Sequence, residues 1–350
     1  MIDHFVRSHI AAMSGYEPGE QPVADKCIKL NTNENPYPPS PRVKQAIQNA
    51  LETGLVRYPD PTASSFRLRA GEVLGVDPDW ILCGNGSDDI LTIVMRCLVG
   101  EGQPLRIPYP SYILYKTLAG IQGARCQEVL FEQDWSLTAA FAEPDGDPRL
   151  AFFPNPNNPS GTTIPPDQLM ELADRLPCPL LIDEAYADFT DQHCIDLVKQ
   201  SENVMVMRSM SKSYALAGLR FGFLVAQPAI IAQLMKVKDS YNCDALSIAG
   251  ATGAIDDQEW LVENCRRVIA TRERMTSDLI QLGFSVVPSQ ANFVWCTRRD
   301  QPVRPIYENL KQNQLLVRYM DYPNWGDGLR ISVGTEDQID ACLTLIASAL

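Results

Sequence analysis

Val204-Met205-Val206-Met207-Arg208-Ser209-Met210-Ser211-Lys212, followed eight residues after the lysine by Arg220, is the stretch on which the reading of this chain turns. Val204 to Met207 is an apolar run of strand length, and the polar residues come directly after it. A buried strand that empties into such a loop fits an open α/β sheet, where ligands gather beyond the carboxyl ends of the strands. Ser209, Ser211 and the Arg220 guanidinium are spaced to gather round one phosphate. Lys212, in cationic or desolvated surroundings, can be a neutral amine, the form that attacks an aldehyde to make a Schiff base. The combination suits pyridoxal phosphate, with the serines and arginine on its dianion. Taken alone, Ser209 to Lys212 reads as an exposed Ser/Lys turn after a strand. Other segments overturn that reading.

Between about residue 80 and residue 225, short apolar runs alternate with helical patterns: Trp80 to Cys83, Leu150 to Phe153, Leu180 to Ile182, Val204 to Met207 and Phe221 to Val225. Such strands separated by helices imply a mainly parallel sheet covered on both faces. Gly84 to Asp89, Asn158, Asp183 and Ser209 to Lys212 each follow one of these runs, so a single crevice could collect them. The first 40 residues, rich in Pro and Asn, read as an arm. Val43, Ala46, Ile47, Ala50 and Leu51 then repeat at helical spacing, with Ser40 as N-cap and Pro41 as first helical residue. A long helix is expected from Glu259 to Gly283, then strands at Phe293 to Trp295, Leu315 to Arg318 and Leu329 to Val333. Thr335 and Gln338 have the form of a capping box for a last helix that buries Ile339, Cys342, Leu343 and Ile346.

Composition narrows the function classes. At 350 residues the chain exceeds one compact core, so a large domain with a smaller satellite is expected, and a 45% hydrophobic content suffices to fill both. The formal charge of −13 comes with no Lys/Arg block, which argues against nucleic acid and anionic membrane as partners. No run of about 18 apolar residues occurs, so no membrane span is expected. Ten scattered cysteines without a C-x-x-C pair, and a start, Met1-Ile2-Asp3-His4, without a basic and apolar leader, point to a reduced cytoplasm. His4, His9 and His193 are too few and too dispersed for a zinc site and read as surface histidines, so no metal is expected.

Three further segments carry candidate chemistry. Asp183 ends an apolar strand, where burial raises a lone carboxyl's pKa unless a cation meets it, and a pyridinium nitrogen is such a cation; a helix-capping aspartate is the competing reading. Gly84-Asn85-Gly86-Ser87-Asp88-Asp89 follows a strand and opens a helix carrying Ile90, Leu91, Val94, Cys97 and Leu98, so its backbone amides form a phosphate site. A dinucleotide site would want a third glycine at position 89, which here is Asp. Pro156-Asn157-Asn158-Pro159-Ser160-Gly161 without its companions is only a turn.

The run Ser209-Met210-Ser211-Lys212-Ser213-Tyr214-Ala215-Leu216-Ala217-Gly218-Leu219-Arg220 resembles the cofactor-lysine signature of the fold-type I pyridoxal-phosphate aminotransferases, and within them the histidinol-phosphate aminotransferase subfamily. The likeness extends from Asn31-Thr32-Asn33-Glu34-Asn35-Pro36 through Arg57-Tyr58-Pro59-Asp60 to Leu329-Arg330-Ile331-Ser332-Val333-Gly334-Thr335. It implies an α/β fold with a large domain, its mainly parallel sheet sandwiched by helices, and a smaller α/β domain from the two chain ends. The expected divisions are an arm at 1–41, a large cofactor domain at 42–265 and a small domain at 266–350. By the same resemblance Lys212, Asp183 and Tyr186 are catalytic. Asp183 keeps the pyridine nitrogen of pyridoxal 5′-phosphate protonated, Tyr186 and Asn158 reach the ring's phenolic oxygen, and Tyr112 stacks on the ring. Gly86, Ser87, Asp88, Ser209, Ser211 and Arg220 hold the phosphate, with Tyr58 lent across a homodimer interface to the neighbour's site. Ser87 and Asp89 depart from the family's more usual Ala-Asp-Glu.

Arg330 matches the arginine that grips the carboxylate of glutamate. Tyr16, Asn33 and Arg318 complete the implied substrate set, Arg318 and Tyr16 as extra ligands for a substrate phosphate, although Arg318 also reads as a solvated strand-end charge. The implied reaction is transamination of histidinol phosphate with 2-oxoglutarate to imidazole-acetol phosphate and glutamate, in histidine biosynthesis. An aromatic aminotransferase and a threonine-phosphate decarboxylase share the apparatus; the decarboxylases carry Ile-Pro where this chain has Leu216-Ala217, which favours transamination. A ligand-sensing regulator would need an appended basic DNA-binding module, for which neither length nor charge is present.

Overall fold

The computed structural model describes residues 3–16, 18–22, 27–143 and 146–350; Met1 and Ile2 of the start, and Glu17 and residues 23–26 of the arm, lie outside the described residues. Seven strands form the main sheet in the spatial order Ile81–Gly84, Gly222–Val225, Val204–Ser209, Leu180–Asp183, Leu150–Pro154, Pro104–Tyr109 and Arg125–Leu130. Only Gly222–Val225 runs antiparallel to its neighbours; the other pairs are parallel. Five strands of this sheet, all but Pro104–Tyr109 and Arg125–Leu130, read as largely apolar runs because both faces are covered, and their side chains alternate between two cores. Val204, Val206, Leu180, Ile182 and Phe153 face one, with Phe66 and Leu169 from helices Ser64–Leu74 and Pro166–Arg175. Met205, Met207, Leu181 and Phe152 face the other, with Ile90 and Tyr115 from helices Ser87–Leu98 and Leu114–Gln122.

A four-stranded antiparallel sheet, Arg318–Tyr322, Gly326–Ser332, Phe293–Thr297 and Ser285–Val286, packs on a third core with helices Gln258–Gln281, Arg304–Gln312 and Glu336–Ser348. Leu30 of the N-terminal segment belongs to this core. The pairing of Ile28 with Leu315 and Lys29 with Leu316 draws the two ends of the chain together. The 24-residue helix Gln258–Gln281 runs through residue 265, where the sequence-based division falls. No helix among the described residues is long and apolar enough to cross a membrane.

Local signals translate directly. Ser40 Oγ accepts from the Arg42 amide and Pro41 opens helix Pro41–Thr53. Thr335 and Gln338 form the reciprocal capping box, with Ile339, Cys342 and Ile346 buried. Two strands carry no apolar run to betray them. Pro104–Tyr109 holds prolines at 104 and 108, and Arg125–Leu130 is the sheet edge, with none of its residues buried and Arg125, Glu128 and Leu130 exposed. The single strand expected at Leu315 to Arg318 is two: Leu315–Leu316 pairs with Ile28–Lys29, and Arg318–Tyr322 joins the other sheet.

Candidate functional site

A cavity of about 660 Å³ opens beyond the carboxyl ends of the main-sheet strands, against the four-stranded sheet and the N-terminal segment. Of the residues singled out from sequence, Tyr16, Asn33, Ser87, Asp88, Tyr112, Asn158, Asp183, Tyr186, Ser209, Ser211, Lys212, Arg220, Arg318 and Arg330 all line it. Gly86 and Tyr58 do not. Gly86 is the N-cap of helix Ser87–Leu98 at φ 85, and a Cβ there would stand 2.6 Å from Arg220 Nη2. Glycine is therefore needed for the arginine to approach the helix start. Tyr58 is exposed and stacked on Tyr241, ring centroids 4.5 Å apart.

Asp183 is the last residue of its strand and is buried on the cavity wall. Its Oδ2 accepts from Tyr115 Oη at 2.6 Å and its Oδ1 from the Ala185 amide at 3.0 Å. Burial pushes its pKa up to about 6, against the lowering effect of these bonds. Among the described residues no cationic side chain makes an ion pair with it. A buried carboxyl on a cavity wall without a counter-charge is what a pyridinium nitrogen requires.

A further part of the lining is built from the helix start and the Lys212 loop. Arg220, at φ 53, turns its guanidinium toward Ser211 Oγ at 3.4 Å and Asp88 Oδ2 at 3.5 Å. Burial raises the Asp88 pKa, opposed first by Arg220 and then by Lys212. Ser209, Ser211, Arg220 and the first-turn backbone of Ser87 and Asp88 thus surround one end of the cavity with donors, a fit for a phosphate dianion. Asp89 is absent from this wall. Its Oδ2 accepts from the Asn85 amide at 2.9 Å and Asn242 Nδ2 at 2.8 Å, so it pins the turn instead.

Lys212 Nζ donates to the Thr32 carbonyl at 3.1 Å and stands 5.8 Å from the Tyr186 ring centroid. Burial, then Arg330, lowers its pKa to about 8. Tyr186 Oη accepts from Asn33 Nδ2 at 2.9 Å, and burial raises its pKa to about 12. Asn33 adopts φ 55 and is locked by Ser332 and Asn292: its amide donates to Ser332 Oγ and its carbonyl accepts from Asn292 Nδ2. Arg330 donates to Asn158 Oδ1 at 2.7 Å and the Asn31 carbonyl at 2.8 Å, while its Nε is buried without a partner. Arg318 stands directly across the antiparallel pair from Arg330, and neither makes an ion pair among the described residues. Two like charges so placed repel each other, which leaves a cationic corner suited to an anion.

Tyr112 meets Tyr115 edge-on at 5.6 Å and lines the cavity near Asp183. Tyr115, Asn31 and Thr32 belong to the site and were not singled out by the sequence reading. Asn31 and Thr32 lie in a motif that pointed to them; Tyr115 carries no local signal, since a single Tyr in an apolar helix reads as core. Among the described residues no group of three or more His, Cys, Asp or Glu side chains is placed to hold a metal ion.

Residues 25–346 match the family model "Aminotransferase class I and II". A histidinol-phosphate aminotransferase of Rhodopirellula baltica is 56% identical over 98% of this chain and 95% of its own length. Histidinol-phosphate aminotransferase 1 of Trichormus variabilis is 44% identical over 96% of each. The fold is that of the crystal structure of Sinorhizobium meliloti histidinol-phosphate aminotransferase in complex with pyridoxal-5′-phosphate, with a TM-score of 0.87 at 24% identity, covering 92% of this chain and 90% of that one.

Proposed function

This chain belongs to the class I and II aminotransferases, on the branch of the histidinol-phosphate aminotransferases, and on that premise we propose that it transfers the amino group of histidinol phosphate to 2-oxoglutarate, giving imidazole-acetol phosphate and glutamate, with pyridoxal 5′-phosphate as cofactor. One observation carries the reading: a part-buried lysine amine and a buried carboxyl without a counter-charge share a cavity that also holds two arginines free of acidic partners. The aromatic aminotransferase and threonine-phosphate decarboxylase alternatives find no favour in these relatives.

When bound, pyridoxal phosphate supplies an aldehyde carbon that takes up an amine and a pyridinium ring that accepts the electron pair left as the substrate Cα loses its proton. Asp183, held by Tyr115 and the Ala185 amide, keeps the proton on the ring nitrogen. Ser209, Ser211, Arg220 and the backbone of Ser87 and Asp88 hold the phosphate. Tyr112 covers the ring face. Tyr186 Oη and the Asn158 amide, the latter fixed at its oxygen by Arg330, donate to the phenolic oxygen. Lys212, whose pKa of about 8 leaves a share of neutral amine at pH 7, moves the proton between Cα and C4′.

Arg330 grips the carboxylate of glutamate. In the other half-reaction the phosphate of histidinol phosphate takes that place, and Arg318 and Tyr16 add the donors its extra charge needs. The proposed active unit is a homodimer in which Tyr58 completes the partner's phosphate site; its exposure, beside the exposed Leu55 and Val56, supports this. The arm at 1–41, the cofactor domain at 42–265 and the small domain at 266–350 remain the proposed division. A reduced cytoplasm is the proposed setting, in keeping with ten unpaired cysteines.

A half-reaction screen tests the assignment. Purified holoenzyme mixed with single amines should lose its visible cofactor absorbance with histidinol phosphate and with glutamate. Loss with aromatic amino acids and none with histidinol phosphate would overturn the substrate reading.

A further inference from the structure

Glu184 comes one residue after Asp183, so its side chain leaves the strand end by the opposite face. Its amide still bonds to the Met207 carbonyl at 2.8 Å, which sets it beside Arg208 of the neighbouring strand. Arg208 Nε and Nη2 lie 2.9 and 2.8 Å from Glu184 Oε2, and Nη1 donates to Asp188 Oδ1 at 3.0 Å. The other Asp188 oxygen accepts from Ser213 Oγ, and Glu184 Oε1 accepts from the Cys194 amide. The Glu184 side chain has no exposure, and none of Glu184, Arg208, Asp188 and Ser213 lines the cavity.

Each member of this chain of bonds nevertheless adjoins a group of the site. Glu184 follows Asp183, Asp188 is two residues past Tyr186, Arg208 precedes Ser209, and Ser213 follows Lys212. From the other side, Asn35 Nδ2 donates to the carbonyls of Lys212 and Ser213, both at 3.0 Å. Buried ion groups of this kind are commonly replaceable by apolar residues without loss of stability, so stability alone does not account for them. What they supply is relative position. The sheet ladder fixes Asp183 against Met207, but the Lys212 loop has left the sheet after Ser209; backbone bonds such as Met210 N–H to the Phe221 carbonyl set the loop's course, and the lateral bonds to Asp188 and Asn35 add the constraint on Lys212 and Ser213 themselves.

We propose that Arg208, clasped between Glu184 and Asp188, is a positioning residue that acts through Ser213 to hold Lys212 at its working distance from Asp183. The clasp rests on the transaminase reading above. Because proton transfer requires contact distance, a shift of about 1 Å in the lysine can cost ~100-fold in rate.

Arg208→Met leaves two buried carboxylates unpaired and risks unfolding, so the decisive variants are Ser213→Ala and Asp188→Asn, with Arg208→Lys as the conservative companion. Each is prepared as holoenzyme, and melting temperature, kcat, KM for both substrates and the visible circular dichroism of the bound cofactor are measured. Ser213→Ala and Asp188→Asn should lower kcat ~10-fold or more with less than about threefold change in either KM, and reduce the dichroic band at near-parental melting temperature. Combined, they should cost no more than the worse of the two, since they cut one path. Arg208→Lys, lacking the fork that reaches both carboxylates, should fall between the parent and those variants. Parental kcat and dichroism in folded Ser213→Ala and Asp188→Asn would overturn the clasp while leaving the transaminase reading intact. A parent enzyme that keeps turnover after Lys212→Ala would instead overturn that reading.

Discussion

Replacing Tyr115 by Phe removes one oxygen and keeps the ring, so its effect isolates the bond to Asp183. That bond is the shorter of the two the carboxyl accepts, 2.6 Å against 3.0 Å. Burial, and then Asp183 itself, drive the phenol's pKa well above its usual value, so Tyr115 remains a donor throughout the working pH range. Burial has lifted Asp183 from 3.8 to about 6. A carboxyl with a raised folded pKa contributes stability that is fully present below its unfolded pKa and is lost as pH rises through 6. Removing the donor penalises the anion more than the neutral acid, because a bond to a charged group is worth ~1.5–3 kcal/mol and a neutral one ~1 kcal/mol. The difference, ~1 kcal/mol, corresponds to a further rise of a little under one pH unit at ~1.4 kcal/mol per unit. In the cofactor-free protein Tyr115→Phe should therefore cost ~1 kcal/mol at pH 5 and ~2 kcal/mol at pH 8. For a chain of this length the additional loss at pH 8 is a drop of ~1–2 °C in melting temperature. Thermal unfolding of parent and variant at the two pH values makes the measurement. Equal losses at pH 5 and pH 8 would refute the reasoning, since the phenol would then not distinguish the two ionisation states of Asp183.

Lys212→Ala should fold normally and lose turnover, and borohydride treatment of its cofactor complex should leave no label at the active site by mass spectrometry; label there would sink the assignment. Arg318→Ala should lower kcat/KM for histidinol phosphate ~10- to 100-fold and for glutamate much less, while Arg330→Ala lowers both; equal losses in Arg318→Ala would remove the case for a phosphate-selective corner. With a Lys212 pKa of about 8, capture of pyridoxal phosphate by the cofactor-free protein should rise ~10-fold from pH 7 to pH 9 and then level off. A rate still climbing at pH 10 would mean the amine is not desolvated. Mixing inactive Lys212→Ala with an inactive Tyr58 variant should restore activity through hybrid dimers with one intact site, and a fully active monomer in sedimentation would exclude the shared site.

The positions of Lys212 and Asp183 were legible because strand-ending polar residues in an open α/β sheet converge by construction, whatever the details of packing. Ser40 with Pro41, and Thr335 with Gln338, were legible because a cap is closed within one helical turn and needs nothing distant. Asp89 shows the limit of that logic. Its place in a glycine-rich loop is shared with Asp88, and the bond from Asn242, 153 residues away, together with the one from the Asn85 amide, holds its carboxylate to the turn.

By itself the sequence determined which segments are strands buried on both faces, where several helices begin, and which short motifs supply a lysine, a carboxyl and a phosphate cradle, since each of these is written in spacing over a few residues. Tertiary structure alone decided that Tyr115 tunes Asp183 across 68 residues, that Arg330 is oriented by Asn158 and Asn31 from 172 and 299 residues away, and that Arg208 links the strand of Asp183 to the loop of Lys212. The edge strand Arg125–Leu130 was invisible for the same reason. Pairing partners are chosen by the topology of the sheet, and a hydrogen bond between distant residues leaves no period in the chain for a reader to find.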